Sequence, residues 1–161
     1  MAIYIKYDGI KGDVTADGYK DHIAADSFQF GVGRAVTMKG GQSANRECST
    51  PSFAELCITK IVDGASPDLL GSAYGNATEG KMVEIKFVKT GSGKAETYMT
   101  YKLTDCLVSG YSVSAAGEGE PSESITLSYS KLEVEFASRD AANKSKSPAR
   151  TGYDISQQKK M

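Results

Sequence analysis

The chain has no tryptophan, one histidine, four prolines and three cysteines in 161 residues. A lone histidine, His22, excludes a two-histidine metal cluster or a relay through a second imidazole. Its setting, Tyr19-Lys20-Asp21-His22-Ile23, is a polar approach to a strand and predicts a surface position. Cys48, Cys57 and Cys106 are odd in number and lack metal-ligand spacing, so neither a disulfide framework nor a zinc site is expected. Cys57 and Cys106 fall in predicted strands, and Cys48 in a polar loop. No apolar run nears the ~20 residues of a membrane-spanning helix. Met1-Ala2-Ile3-Tyr4 lacks the charged and apolar stretches of a secretory signal. Net charge is nearly absent as well: the value of −1 gives no reason to expect nucleic acid.

What is present suits one domain spanning residues 1–161, with a core drawn from 40% hydrophobic residues. Residues 138–161 carry six Lys or Arg against Asp140 and Asp154, a +4 tail on a −5 body. The Ser, Lys, Ala and Asn content of that tail predicts a flexible segment over 138–152.

Period-two alternation dominates. Ile3, Ile5 and Tyr7 share a face, as do Phe28, Phe30 and Val32, and Val83, Ile85 and Phe87 oppose Glu84 and Lys86. Thr90-Gly91-Ser92-Gly93-Lys94 reads as a hairpin turn, with Thr97 to Leu103 returning beside it and Leu107, Ser109, Tyr111 and Val113 on a further strand. Ile125, Leu127 and Tyr129 are apolar at odd positions, whereas Leu132, Val134 and Phe136 are apolar at even ones. A one-residue slip reverses every side chain, so a bend is required at Ser130-Lys131, as where a strand turns between two sheets. The fold class is mainly β: a small β-barrel or two-sheet sandwich of antiparallel strands with one short α-helix over about residues 66–74.

That helix follows the strand Leu56 to Ile61. Ser66 is placed to cap it, Pro67 suits its first position and Asp68 the positive end of its dipole. Leu69, Leu70, Ala73 and Tyr74 supply an apolar stripe, and Gly75 ends it. Two long loops remain. Thr37 to Pro51 holds Lys39, Gly40, Gly41, Gln42, Arg46 and Glu47, and Ala115 to Ser122 holds Glu118 and Glu120.

No pattern argues for catalysis. Glu118 and Glu120 lie on a glycine-rich loop, where carboxylates stay solvated and titrate normally. Gly91-Ser92-Gly93-Lys94 is followed by strand, not by the helix of a phosphate loop. Neither a cofactor nor a metal ion is implied.

The spaced residues Thr59, Lys60, Asp63, Ser66, Pro67 and Leu69 resemble a signature of the haemolysin-coregulated protein (Hcp) family, the tube subunits of bacterial type VI secretion systems. The resemblance spans nearly the whole chain. Tyr4 to Asp13 looks like the family's opening strand and turn, Ile23 to Gly33 like its second strand, and Leu107 to Val113 with Glu123 to Tyr129 like its closing strands. Gly152-Tyr153-Asp154-Ile155 resembles its Gly-aromatic-x-Ile tail. The resemblance implies a fold similar to phage tail-tube proteins. It further implies homohexameric rings that stack into a tube, with small effectors in the lumen and other secretion components as partners. Assembly in the cytoplasm and secretion on firing, without a signal peptide and without membrane insertion, follow from the same likeness. It makes Thr37 to Pro51 a candidate ring-stacking loop, and Glu118 and Glu120 a candidate ring-face loop. The alternative is a stand-alone small-molecule-binding β-barrel module, with Tyr98, Tyr101 and Tyr111 around a pocket.

Overall fold

The structure is a computed structural model and describes residues 1–38, 40, 46–76, 78–91, 93–138 and 146–161. In chain order the first strands are β1 (Ala2–Tyr7), β2 (Ile23–Ala25), β3 (Ser27–Gln29), β4 (Val32–Gly33) and β5 (Val36–Met38). β6 (Arg46–Cys48), β7 (Ser52–Phe53) and β8 (Leu56–Ile61) lead into α1 (Ser66–Tyr74). Then come β9 (Lys81–Gly91), β10 (Lys94–Ser114), β11 (Ser122–Ser128), β12 (Lys131–Phe136), β13 (Ala149–Asp154) and β14 (Lys159–Lys160).

All pairing among the described residues is antiparallel: two large sheets share β10, and β4–β7 and β5–β6 form two separate two-stranded ladders. The first runs β2-β1-β9-β10-β12-β13-β14. The second runs β10-β11-β8-β3. The ladders do not close into a barrel. β2 and β3 flank Asp26, whose N–H donates to Thr59 O at 2.8 Å and ties the two sheets at that corner.

The alternation of the sequence explains which faces meet. Ile3, Ile5, Tyr7, Val83, Ile85, Phe87, Leu103 and Leu132 are buried from one sheet, and Leu56, Ile58, Ile125 and Leu127 from the other. Each such side chain contributes roughly 1.5–3 kcal/mol by leaving water. Phe28 meets Phe87 edge-on with centroids 5.1 Å apart, and Tyr101 lies 4.8 Å from Phe28, which seals one end of the core.

Two separate strands are expected over Thr97 to Val113, but β10 runs unbroken for 21 residues. Its corner is made by irregularity within the strand. Asp105 has a left-handed φ of 54°, and the register shifts between Leu103 and Cys106 and again between Val108 and Gly110. Bulges of this kind insert a residue and raise local twist without ending a strand, so the buried positions change phase from Leu103 to Cys106 and Val108 while the strand goes on. The neighbouring corner lies where β11 ends at Ser128 in one sheet and β12 begins at Lys131 in the other. Ser130 N–H donates to Thr104 O at 3.1 Å there, and its carbonyl accepts from Ile155 N.

Other expectations need correction. Within the stretch 138–152 expected to be flexible, Ala149 to Gly152 sit in β13 and pair with Phe136 to Glu133 of β12, and the Tyr153 ring that follows lies 4.8 Å from Phe53. Residues 139–145 of that tail lie outside the described residues. The polar stretch Thr37 to Pro51 is not all loop, because β5 and β6 pair within it. His22 is buried at 7% exposure, packed edge-on to Tyr19 with its Nδ1 3.1 Å from Lys20 O. The turn around it is held by backbone bonds Gly12 N to Asp21 O and Val14 N to His22 O, which polarity could not reveal.

Candidate functional site: a buried lysine cluster and an assembly surface

Three of the signature residues, Lys60, Asp63 and Ser66, meet around one buried ammonium. Lys60, near the end of β8, points into the protein with 1% exposure. Its Nζ donates to Glu123 Oε1 at 2.6 Å, Asp63 Oδ1 at 2.7 Å and Ile61 O at 2.8 Å, so all three protons have acceptors. Asp63 Oδ1 also accepts from Ala65 N at 2.9 Å, and Ser66 Oγ receives Asp63 N–H and donates to Glu123 Oε1, both at 3.0 Å. Tyr111 donates from across the sheet to Glu123 Oε2. Burial, then the Glu123 carboxylate it faces, pushes the Tyr111 phenol up to about 12.

Two carboxylates thus surround one ammonium. The positive end of α1 and three hydroxyl or amide donors offset the surplus negative charge. The cluster locks the β8–α1 turn against β10 and β11. Ser66 is therefore not the cap: the N-cap position is Ala65, and Ser66 is the first helical residue, its hydroxyl bonded within the cluster. Pro67 stands in the first turn and Leu69 anchors the helix at 2% exposure. Leu70 and Tyr74 are not part of a buried stripe. They are 42% and 75% exposed, since the helix rests on the sheet through a face only one or two residues wide. Thr59, on the other face of β8, shares a 2.5 Å hydroxyl contact with Ser27.

The outward faces of the two sheets differ in chemistry. On the first, cross-strand register lines up Lys6, Glu84, Lys102 and Glu133 in a row of alternating sign, and Lys86, Thr100, Glu135 and Arg150 in the next. Opposite charges in such rows add about 0.2–1 kcal/mol per pair. On the second, the row is Ser27, Thr59, Ser124 and Ser112, all small hydroxyls, and beside it lie Gln29, Cys57, Thr126 and Gly110.

An arm projects at the start of β8, formed by the β4–β7 and β5–β6 ladders. Its aliphatics are out in water: Val32 is 54% exposed, Val36 53% and Met38 62%. Arg46 and Glu47 lie on β6, exposed, and Gly40 is exposed beyond β5. Lys39, Gly41 and Gln42 fall outside the described residues. At the opposite end of β8, Ile61, Val62 and Val113 are exposed beside the loop that carries Glu118 and Glu120, and Val62 N–H donates to Pro121 O at 3.0 Å. The structure therefore separates the two loops by the length of β8 and does not bring them together within one chain.

Among the described residues no three His, Cys, Asp or Glu side chains are grouped to hold a metal ion. Tyr98, Tyr101 and Tyr111 do not surround a common cavity: Tyr98 packs on Phe87 and Phe136, Tyr101 on Phe28 and Phe30, and Tyr111 reaches Glu123. An apolar cavity of about 330 Å³ lies elsewhere, among Phe30, Phe53, Leu132, Val134 and Tyr153 at the arm's base. Sequence reading missed the Lys60–Glu123 pair, because nothing in spacing links residues 63 positions apart. The one available signal was a charged residue at an inward position of an apolar alternation, at both Lys60 and Glu123.

The family model described as "Type VI secretion system effector, Hcp" matches residues 4–136. The chain belongs to the Hcp family. Among solved structures, a protein described as a type six secretion system protein is 27% identical, with a TM-score of 0.90 over 99% of both chains. Hcp1 from Salmonella typhimurium is 23% identical, with a TM-score of 0.79 over 99% of this chain and 98% of its own. Secreted protein Hcp3 from Pseudomonas aeruginosa is 18% identical, with a TM-score of 0.62 over 95% and 97%. No curated protein matches the chain.

Membership makes this a type VI secretion tube or effector protein, of a family that is structural and secreted rather than enzymatic. The matched Hcp region contains the lysine cluster, the arm and the acidic loop, and ends with β12. β13 and β14 lie beyond it. Among the described residues no helix is long and apolar enough to cross a membrane.

Proposed function

We propose that residues 1–161 act as one domain, that six copies close into a ring, and that rings stack head to tail as the inner tube of a type VI secretion apparatus. The tube is assembled in the cytoplasm, expelled on firing, and carries small effectors in its lumen. The observation that carries this reading is the arm. Two two-stranded ladders with three aliphatics more than half exposed have no core of their own, and such hairpins are marginal in water unless a neighbour covers them. The Hcp membership and the 99% coverage of a type VI secretion protein support reading that neighbour as another copy. In this reading Lys39, Gly40, Gly41, Gln42, Arg46 and Glu47 belong to the stacking element, and Glu118 and Glu120 to a ring face. Many modest contacts of this kind hold a tube that falls apart after delivery.

Negative-stain imaging of the untagged protein tests the proposal. Open six-fold rings and short stacks are expected, and a uniform field of particles too small to enclose a hole would sink it. The cavity among Phe30, Phe53 and Tyr153 favours one second reading, a site for a small apolar ligand. An apolar compound that raises the melting temperature of the wild type but not of a Phe53→Ala variant would support it.

A further inference from the structure

The inward face of the first sheet ends, at its last strand, on a lysine. Cross-strand register places Leu103, Leu132, Tyr153 and Lys160 in one row across β10, β12, β13 and β14. Residues directly opposite one another share a face of the sheet. Leu103 and Leu132 are buried in the core, Tyr153 is half-buried with its ring 4.8 Å from Phe53, and Lys160 is exposed. The row therefore passes from core to solvent along the cavity of about 330 Å³ at the arm's base, which Leu132, Tyr153 and Lys160 line together with Phe30, Phe53 and Val134.

Among the described residues Lys160 is the one charged side chain on that lining, and it makes no ion pair. The nearby carboxylates, Glu133 and Asp154, occupy the alternate positions of β12 and β13 and belong to the other side of the sheet. Asp154 is moreover held by Lys131 and Ser156. An apolar chamber with one unpaired ammonium at its rim suits a ligand with an apolar body and a single anionic head. The volume lies at the lower end of the ~300–1,000 Å³ of small-molecule sites, which favours one short chain. Tyr153 and Lys160 come from β13 and β14, beyond the matched residues 4–136, so the family match does not account for this site.

Resting on the apolar-ligand reading above, we infer that the cavity takes a medium-chain carboxylate, its chain between Phe30, Phe53 and Leu132 and its head on Lys160 Nζ. The chain supplies affinity by leaving water, and the lysine selects the sign of the head. Salt weakens the head contact and spares the chain contact, because Lys160 is exposed.

The test is isothermal titration calorimetry of the full chain with hexanoate, octanoate and decanoate, each below its micellar concentration. Affinity is expected to rise roughly threefold to fourfold per methylene until the cavity is full. Decanol is expected to bind more weakly than decanoate, and acetate not at all. Lys160→Glu changes an exposed residue with no ion pair to lose. It is expected to weaken decanoate binding roughly threefold to tenfold and to prefer decylammonium instead. Thr151→Phe puts a ring into the cavity from β13 and is expected to abolish binding of every probe. Decanol binding as tightly as decanoate, with no response to Lys160→Glu, would overturn the inference and leave the apolar-ligand reading standing. Saturable binding of none of the probes would overturn both. Decanoate binding unchanged in Thr151→Phe would place the amphiphile outside the cavity and overturn the inference too. Light scattering on the same samples reports rings separately, so the tube reading stands or falls on its own.

Discussion

At the residue scale the decisive side chain is Lys60. A buried pair stripped of one partner leaves an uncompensated charge, which costs about 3–5 kcal/mol. Lys60→Met should therefore lower stability by about that much in urea unfolding, and Lys60→Met combined with Glu123→Leu should recover a good part of it. Equal stability of Lys60→Met and wild type would show that the cluster is not what seats α1. Tyr7, Tyr111 and Tyr129 make a second residue-scale prediction. Their phenols are raised from 10.0 to about 12, in each case first by burial. The folded state then holds protons that the unfolded chain releases, so this contribution to stability is complete below pH 10 and is lost as pH rises towards 12. Tyrosinate absorbance should lag behind that of the denatured protein across this window and appear together with unfolding. Ionisation of all nine tyrosines near pH 10 without unfolding would contradict it.

At the scale of elements, the corners between sheets carry the strain. Ser130→Pro removes the N–H that donates to Thr104 O at the β11–β12 corner, and is expected to cost about 1–3 kcal/mol, read as a lower melting temperature. Gly80→Ala should be worse tolerated than an exposed glycine change, because a Cβ there would sit 2.2 Å from the Asp105 carbonyl carbon, which is backbone and cannot step aside. An unchanged melting temperature in both variants would mean that these corners do not limit stability. The phase change between Tyr129 and Leu132 was legible from alternation alone, as were α1 and the glycine turn between β9 and β10. The continuity of β10 through Asp105 was not, since a bulge adds a residue without altering composition. Burial of His22 was also hidden: its turn is built from backbone hydrogen bonds, and no side-chain pattern reports those. The helix signature named Lys60, Asp63 and Ser66 together. Their common acceptor Glu123 joins only through tertiary pairing of β8 with β11.

At the scale of the whole molecule, the protein is a two-sheet body with an exposed arm at one end. The core, the lysine cluster and the charge rows are complete within one chain, whereas the arm is not. Shortening the arm by deleting residues 40–45 should leave single rings intact and reduce stacks, scored by imaging at matched concentration. Stacks of wild-type length from the deletion variant would mean that the arm does not join rings.

This Hcp chain is proposed to work as a multi-copy ring. The mass of the untagged protein in solution, from size exclusion with light scattering, tests it most directly. The account predicts a main species near six times the 17.1 kDa subunit. A clean 17.1 kDa monomer at every concentration would contradict it.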